Sequence, residues 1–232
     1  MDHAPEQGQT IRLTGRADGF GFDAYHCRPR DARRGGLVML HAIWGVTPHL
    51  RELADGFAED GYEVILPSLM DRAERGFPAV DIDEAARDRR MALAEAVDWT
   101  VTTGDIQACI DALAGPVFAM GFCFGGTAAW MASARCEGLT AASCFYGGGI
   151  AAHADETPRC PVILHFGKRD DLIPLTDVET IKAAHPDLPV WLYEAGHAFM
   201  APSDLDPDSA RLARLRTLQL FHRSGGKAEM GG

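Results

Sequence analysis

Apolar and polar positions along the chain follow two periods in turn. QTIRL and GFDAYHC alternate as half-buried strands do, and TGRADGF between them carries the turn-forming pair Asp18-Gly19, so an antiparallel hairpin is predicted. After the Arg-rich turn RPRDARRGG comes LVMLHA, an unbroken apolar run suited to a strand covered on both faces. HLRELADGFAEDG then places Leu50, Leu53, Ala54 and Phe57 at helical spacing and stops at Gly61. The alternation continues: YEVILP as strand, a polar excursion, and the long helical stretch IDEAARDRRMALAEAVDW. A separate helix, GDIQACIDALAG, is expected to start with Asp105 as its N-cap. PVFAMGF, LTAASCFYG, PVILHFG and PVWLYE read as further strands, and TAAWMASARC, LTDVETIKAAHP and SARLARLRTLQLFHR as helices.

Strands that alternate with helices imply an α/β fold, a mostly parallel central sheet with helices on both faces and the antiparallel strand pair at its start. No repeat or low-complexity linker divides residues 1–232, so one domain is expected. In such sheets ligands bind beyond the carboxyl ends of the strands, which directs attention to the residues that follow each strand.

Composition narrows the partners. The net charge of -11, with basic residues scattered among acidic ones, gives no footprint for nucleic acid or an anionic membrane, and a small-molecule substrate is expected. MDHAPEQGQT has neither a basic nor an apolar leader segment, and no apolar run reaches the roughly 18 residues of a membrane span, so a cytoplasmic location is expected. The six cysteines include no C-x-x-C pair and the nine histidines no H-x-x-x-H, so neither a disulfide framework, a metal site nor any other cofactor is expected. A monomer or homodimer is compatible with all of this.

The chemistry concentrates in GFCFGG, residues 121–126, which follows a strand and opens a helix. That is the context of a nucleophile elbow, with Cys123 where a serine more often stands. Gly121 and Gly125 leave room for neighbouring backbone, and the start of the following helix favours a thiolate at Cys123. A cysteine nucleophile needs a base, and the base an orienting acid. HFGKRDDLIP puts Asp170 just after one strand and YEAGHAF puts His197 just after the next, in the chain order of an α/β-hydrolase triad. Each residue alone has a structural reading, as buried cysteine, turn aspartate or loop-capping histidine.

Taken together, GFCFGG, FGKRDDLIP and YEAGHAF resemble the dienelactone hydrolase family of the α/β-hydrolase superfamily, from about the first strand pair to the last helix. The resemblance implies a hydrolase of small esters or lactones that works through an acyl-enzyme on Cys123. His197 would be general base and then acid and Asp170 its orienter, with the adjacent Asp171 as fallback. It implies that LHAIWGV supplies one oxyanion donor, the N–H of Ile43, beside the N–H of Phe124. It places Arg87 as the arginine that binds a substrate carboxylate, while Trp44 and Phe199, with Phe122 and Phe124, are candidates to line the pocket. Three departures stand out. Ala42 occupies a position where the family commonly carries a glutamate that helps deprotonate the cysteine, leaving His197 or, alternatively, His41 for that task. Met200 and Ala201 stand where a second arginine is found, and Met91 replaces an aromatic partner on the arginine-bearing helix. The alternative reading is a non-hydrolytic member in which Cys123 is a redox-sensitive thiol.

Overall fold

The computed structural model describes residues 8–76 and 84–228. The hairpin forms as expected: β1 (Gln9–Thr14) pairs antiparallel with β2 (Gly21–Cys27). In the turn between them, Asp18 accepts the N–H of Phe20 at 3.1 Å, and Gly19 takes φ 74. β2 also pairs antiparallel with β4 (Tyr62–Pro67), and from there the sheet is parallel. β3 (Gly35–Leu40) lies between β4 and β5 (Val117–Phe122), followed outward by β6 (Leu139–Phe145), β7 (Val162–Gly167) and β8 (Val190–Tyr193). The resulting eight-stranded order is β1-β2-β4-β3-β5-β6-β7-β8. β3, β5 and β7 are buried at every position, which is why their sequences read as continuous apolar runs and not as alternation.

Helices cover both faces. On one, α1 (Pro48–Glu59) meets α6 (Pro207–Ala228) through Arg214, which pairs with Asp60 and lies 4.9 Å over the Phe57 ring. Phe221 of α6 stacks on Phe118 of β5 at 4.5 Å, so that layer is sealed onto the middle of the sheet. On the other face are α3 (Trp99–Asp111), α4 (Phe124–Arg135) and α5 (Leu175–Ala184). Strand order, crossovers and layers together make this an α/β-hydrolase fold. Among the described residues no helix is long and apolar enough to cross a membrane.

One helix boundary differs from expectation. The stretch read as one helix through Trp99 is broken: α2 spans Glu84–Glu95, and α3 begins at Trp99 with Asp98 as its N-cap. The start of the predicted long helix, at residues 82–83, lies outside the described residues. Asp98 is extended and its carboxylate accepts the N–H groups of Thr100 at 2.8 Å and Val101 at 3.4 Å, two of the donors that a helix start leaves open. Asp105 is therefore not a cap. It sits within α3, 2% exposed, and takes two hydrogen bonds from Arg72 at 2.7 and 2.8 Å. Gly104, which reads as a helix breaker, is a close-approach residue, because a Cβ there would lie 3.0–3.1 Å from Ala17.

Candidate active site

Three loops at the carboxyl ends of β5, β7 and β8 converge on one point. At the first, Cys123 joins β5 directly to α4 with φ 53 and ψ -114, a conformation that residues with a Cβ seldom adopt. The glycines around it are sterically required. A Cβ on Gly121 would lie 1.9 Å from the Gly125 carbonyl oxygen, one on Gly125 2.1 Å from that of Leu40, and one on Gly126 2.3 Å from that of Phe145. The elbow is tied to the neighbouring strand by the Cys123 N–H, which donates to the Phe145 carbonyl at 3.0 Å. Its thiol is half-buried.

At the second loop, the Asp170 carboxylate is fully buried and both oxygens are engaged. Oδ1 accepts the N–H groups of Leu172 at 2.9 Å and Ile173 at 3.0 Å, and Oδ2 accepts Nδ1–H of His197 at 2.8 Å. The neighbouring Asp171 is exposed, so the aspartate that meets the histidine is Asp170. This bond directs the other imidazole nitrogen inward: His197 Nε2 is buried and has no hydrogen-bond partner of normal geometry. Burial by itself lowers the imidazole's pKa. The Asp170 hydrogen bond and the closeness of Cys123 outweigh it and raise the pKa to about 9.

The two backbone donors expected from sequence, on Ile43 and Phe124, come from the turn after β3 and from the start of α4. Phe124 is the first residue of α4, so its N–H belongs to the first turn, which lacks intrahelical partners. Gly125 lies directly against the Leu40 and His41 carbonyls, bringing the helix start beside the turn that carries Ile43. His41 is not a base for Cys123. It is fully buried, its Nε2 accepts the Leu69 N–H at 3.0 Å, and Nδ1–H therefore donates to the Ala42 carbonyl at 2.6 Å. Burial pushes its pKa down to about 4, so it is a neutral strand-end fixture.

Two residues assigned to the pocket from sequence stand elsewhere. Arg87 lies on the exposed face of α2. The arginine turned inward is Arg90, 4% exposed, with its guanidinium 4.9 Å over the Trp44 ring. Phe199 is fully buried and packs on Tyr146 at 5.3 Å and Tyr193 at 5.1 Å, which makes it core and not lining. Trp44, beside Ile43, is half-buried. Sequence reasoning passed over Trp99, which stacks on Phe124 at 5.8 Å and 24°, and Tyr146, whose ring is 5.1 Å from that of His197. Trp99 was legible only as the residue after a capping aspartate, and nothing in SCFYGGG marked Tyr146. Among the described residues no group of three His, Cys, Asp or Glu side chains is arranged to hold a metal.

A strained cysteine elbow, an aspartate-held histidine and the sheet order can be compared with known proteins. The model of the dienelactone hydrolase family matches residues 22–225. The chain belongs to the dienelactone hydrolase family. The carboxymethylenebutenolidase of Pseudomonas putida is 29% identical over 218 residues, covering 88% of this chain and 92% of that one. Carboxymethylenebutenolidase 1 of Cupriavidus pinatubonensis is 26% identical over 231 residues, covering 91% and 95%. Among solved structures, that of a candidate dienelactone hydrolase from Klebsiella pneumoniae superposes with a TM-score of 0.79 at 26% identity, over 92% of this chain and 99% of the other. A dienelactone hydrolase-like promiscuous phosphotriesterase from metagenomic libraries, with a TM-score of 0.73 at 19% identity over 94% and 98%, shares the fold. This family member is accordingly a dienelactone hydrolase-like hydrolase.

Proposed function

We propose that this family member opens a small ester or lactone by covalent catalysis on Cys123. The Cys123 sulfur attacks the carbonyl carbon as its proton passes to His197 Nε2, and the oxyanion that forms faces the N–H groups of Ile43 and Phe124. Collapse expels the alcohol or enol oxygen, which takes the proton back from His197, and leaves a thioester on Cys123. Water, deprotonated by Nε2, then attacks the thioester and releases the carboxylic acid and the free thiol. Throughout, Asp170 fixes the imidazole's tautomer and steadies its cation.

The observation that carries this reading is the 2.8 Å bond from His197 to the buried Asp170, with Nε2 left unbonded near a cysteine in a left-handed elbow. With Ala42 unable to take a proton, His197 does so directly, and the imidazolium that forms is stabilised by the Asp170 bond and the neighbouring Cys123. For an anionic substrate, the cation next to the oxyanion turn is Arg90 on Trp44, and we assign the carboxylate contact to it in place of Arg87. The relatives named carboxymethylenebutenolidases suggest small enol lactones as first substrates. The test is hydrolysis of short-chain aryl esters and enol lactones by wild type and Cys123→Ala. Activity is expected to be lost in the variant, and equal rates would sink the proposal.

A further inference from the structure

Only three non-glycine residues among those described have positive φ: Cys123 at 53, Tyr146 at 38 and Ala198 at 52. They are the elbow residue, the residue that follows β6, and the one that follows His197. Backbone held in this region persists only where its surroundings over-determine it, and such residues gather at functional sites. For Tyr146 the surroundings are explicit. Its N–H donates to the His165 carbonyl at 2.7 Å, and His165 is itself fully buried and hydrogen-bonded to Tyr193 at 2.8 Å and Ser143 at 3.2 Å. One residue earlier, the Phe145 carbonyl accepts the Cys123 N–H, so the same strand end holds both the elbow and Tyr146.

The side chain is held equally firmly. It is 2% exposed, and its ring lies 5.1 Å from His197 at 59° and 5.3 Å from Phe199 at 71°. The Met200 carbonyl, a few residues past His197, accepts from His49 Nε2 at 3.2 Å, so the histidine loop is braced from α1. Burial, then the neighbouring charges of Cys123, Asp204 and Asp170, push the phenol well above its ordinary pKa, which keeps it a neutral wall and not an acid or base. The Asp170 bond fixes one edge of the imidazole but leaves the ring free to swing about that bond. A buried ring held 5.1 Å away, tilted at 59°, blocks that swing on one side.

We propose that Tyr146 is a positioning residue for His197, its clamped ring being the surface that holds the imidazole with Nε2 toward Cys123. The inference rests on the Cys123, His197 and Asp170 reading above. Its test is the pH profile of Cys123 alkylation by iodoacetamide, read at that residue by mass spectrometry, for wild type, Tyr146→Phe, Tyr146→Leu and His197→Ala. Tyr146→Leu should move the profile toward that of His197→Ala and lower ester kcat roughly 10- to 100-fold with little change in KM, while Tyr146→Phe, which keeps the ring, stays near wild type. A wild-type profile for folded Tyr146→Leu, or an effect on KM alone, overturns the positioning role. If His197→Ala also leaves the profile unmoved, the triad reading has failed first. Should Tyr146→Leu not fold, nuclear Overhauser contacts between the Tyr146 and His197 rings in the wild type decide the matter, and their absence overturns it.

Discussion

At the scale of single residues, the proposed reaction separates groups that would act through side chains from those that would act through backbone. Ile43 and Phe124 are assigned as main-chain donors, so Ile43→Ala should leave kcat within about twofold, against the ~3 kcal/mol that loss of an oxyanion donor costs. Asp170→Asn keeps the shape but gives His197 a neutral partner that no longer enforces its tautomer, and kcat should fall by about 100-fold or more. The same pair makes stability depend on pH. A histidine whose folded pKa is raised contributes fully below its ordinary value of 6.5, and the contribution is lost as pH climbs through about 9. Urea midpoints at about pH 6 and about pH 10 should therefore show the gap between wild type and Asp170→Asn narrowing at the higher pH. Residue identity made the proposed Cys123, Asp170 and His197 legible, because the proposal rests on their types and chain order. It could not choose among Arg87, Arg89 and Arg90. Neighbouring helix positions point about 100° apart, and which of them turns inward depends on how α2 is seated.

At the scale of elements, the strands were read well because burial on both faces leaves a plain signature, and the elbow because glycine is the one residue its contacts admit. Gly125→Ala should cost about 3 kcal/mol or more in a thermal or urea melt, since the new Cβ would meet backbone carbonyls at 2.1 and 2.6 Å that no rotamer change relieves. Helix boundaries were read less well. The misassigned start of α3 arose because Gly104 and Asp105 imitate a helix break when only local propensity is weighed. The tertiary contacts that reverse that reading, Ala17 against Gly104 and Arg72 on Asp105, come from residues far away in sequence.

For the whole molecule, Arg72 is a strut between three separate pieces. It binds Asp105 in α3 and Asp18 in the β1–β2 turn, from the segment after β4. Burial raises the pKa of Asp105 and Arg72 works against it, so the carboxylate depends on its partner to stay charged. Arg72→Met leaves that carboxylate buried and unpaired and should cost about 3–5 kcal/mol by denaturant titration, whereas the double variant Arg72→Met with Asp105→Leu should recover much of the loss. By itself the sequence determined the α/β alternation, the hairpin, the elbow and the chain order of Cys123, Asp170 and His197, because each is carried by local periodicity or by residue type. Only the tertiary structure decided that Asp105 is a buried ion-pair partner, that Arg90 replaces Arg87 as the inward arginine, that Phe199 is core, and that Tyr146 stands against His197. Those outcomes depend on which surfaces meet when the helices dock on the sheet, and no window of neighbouring residues contains that information.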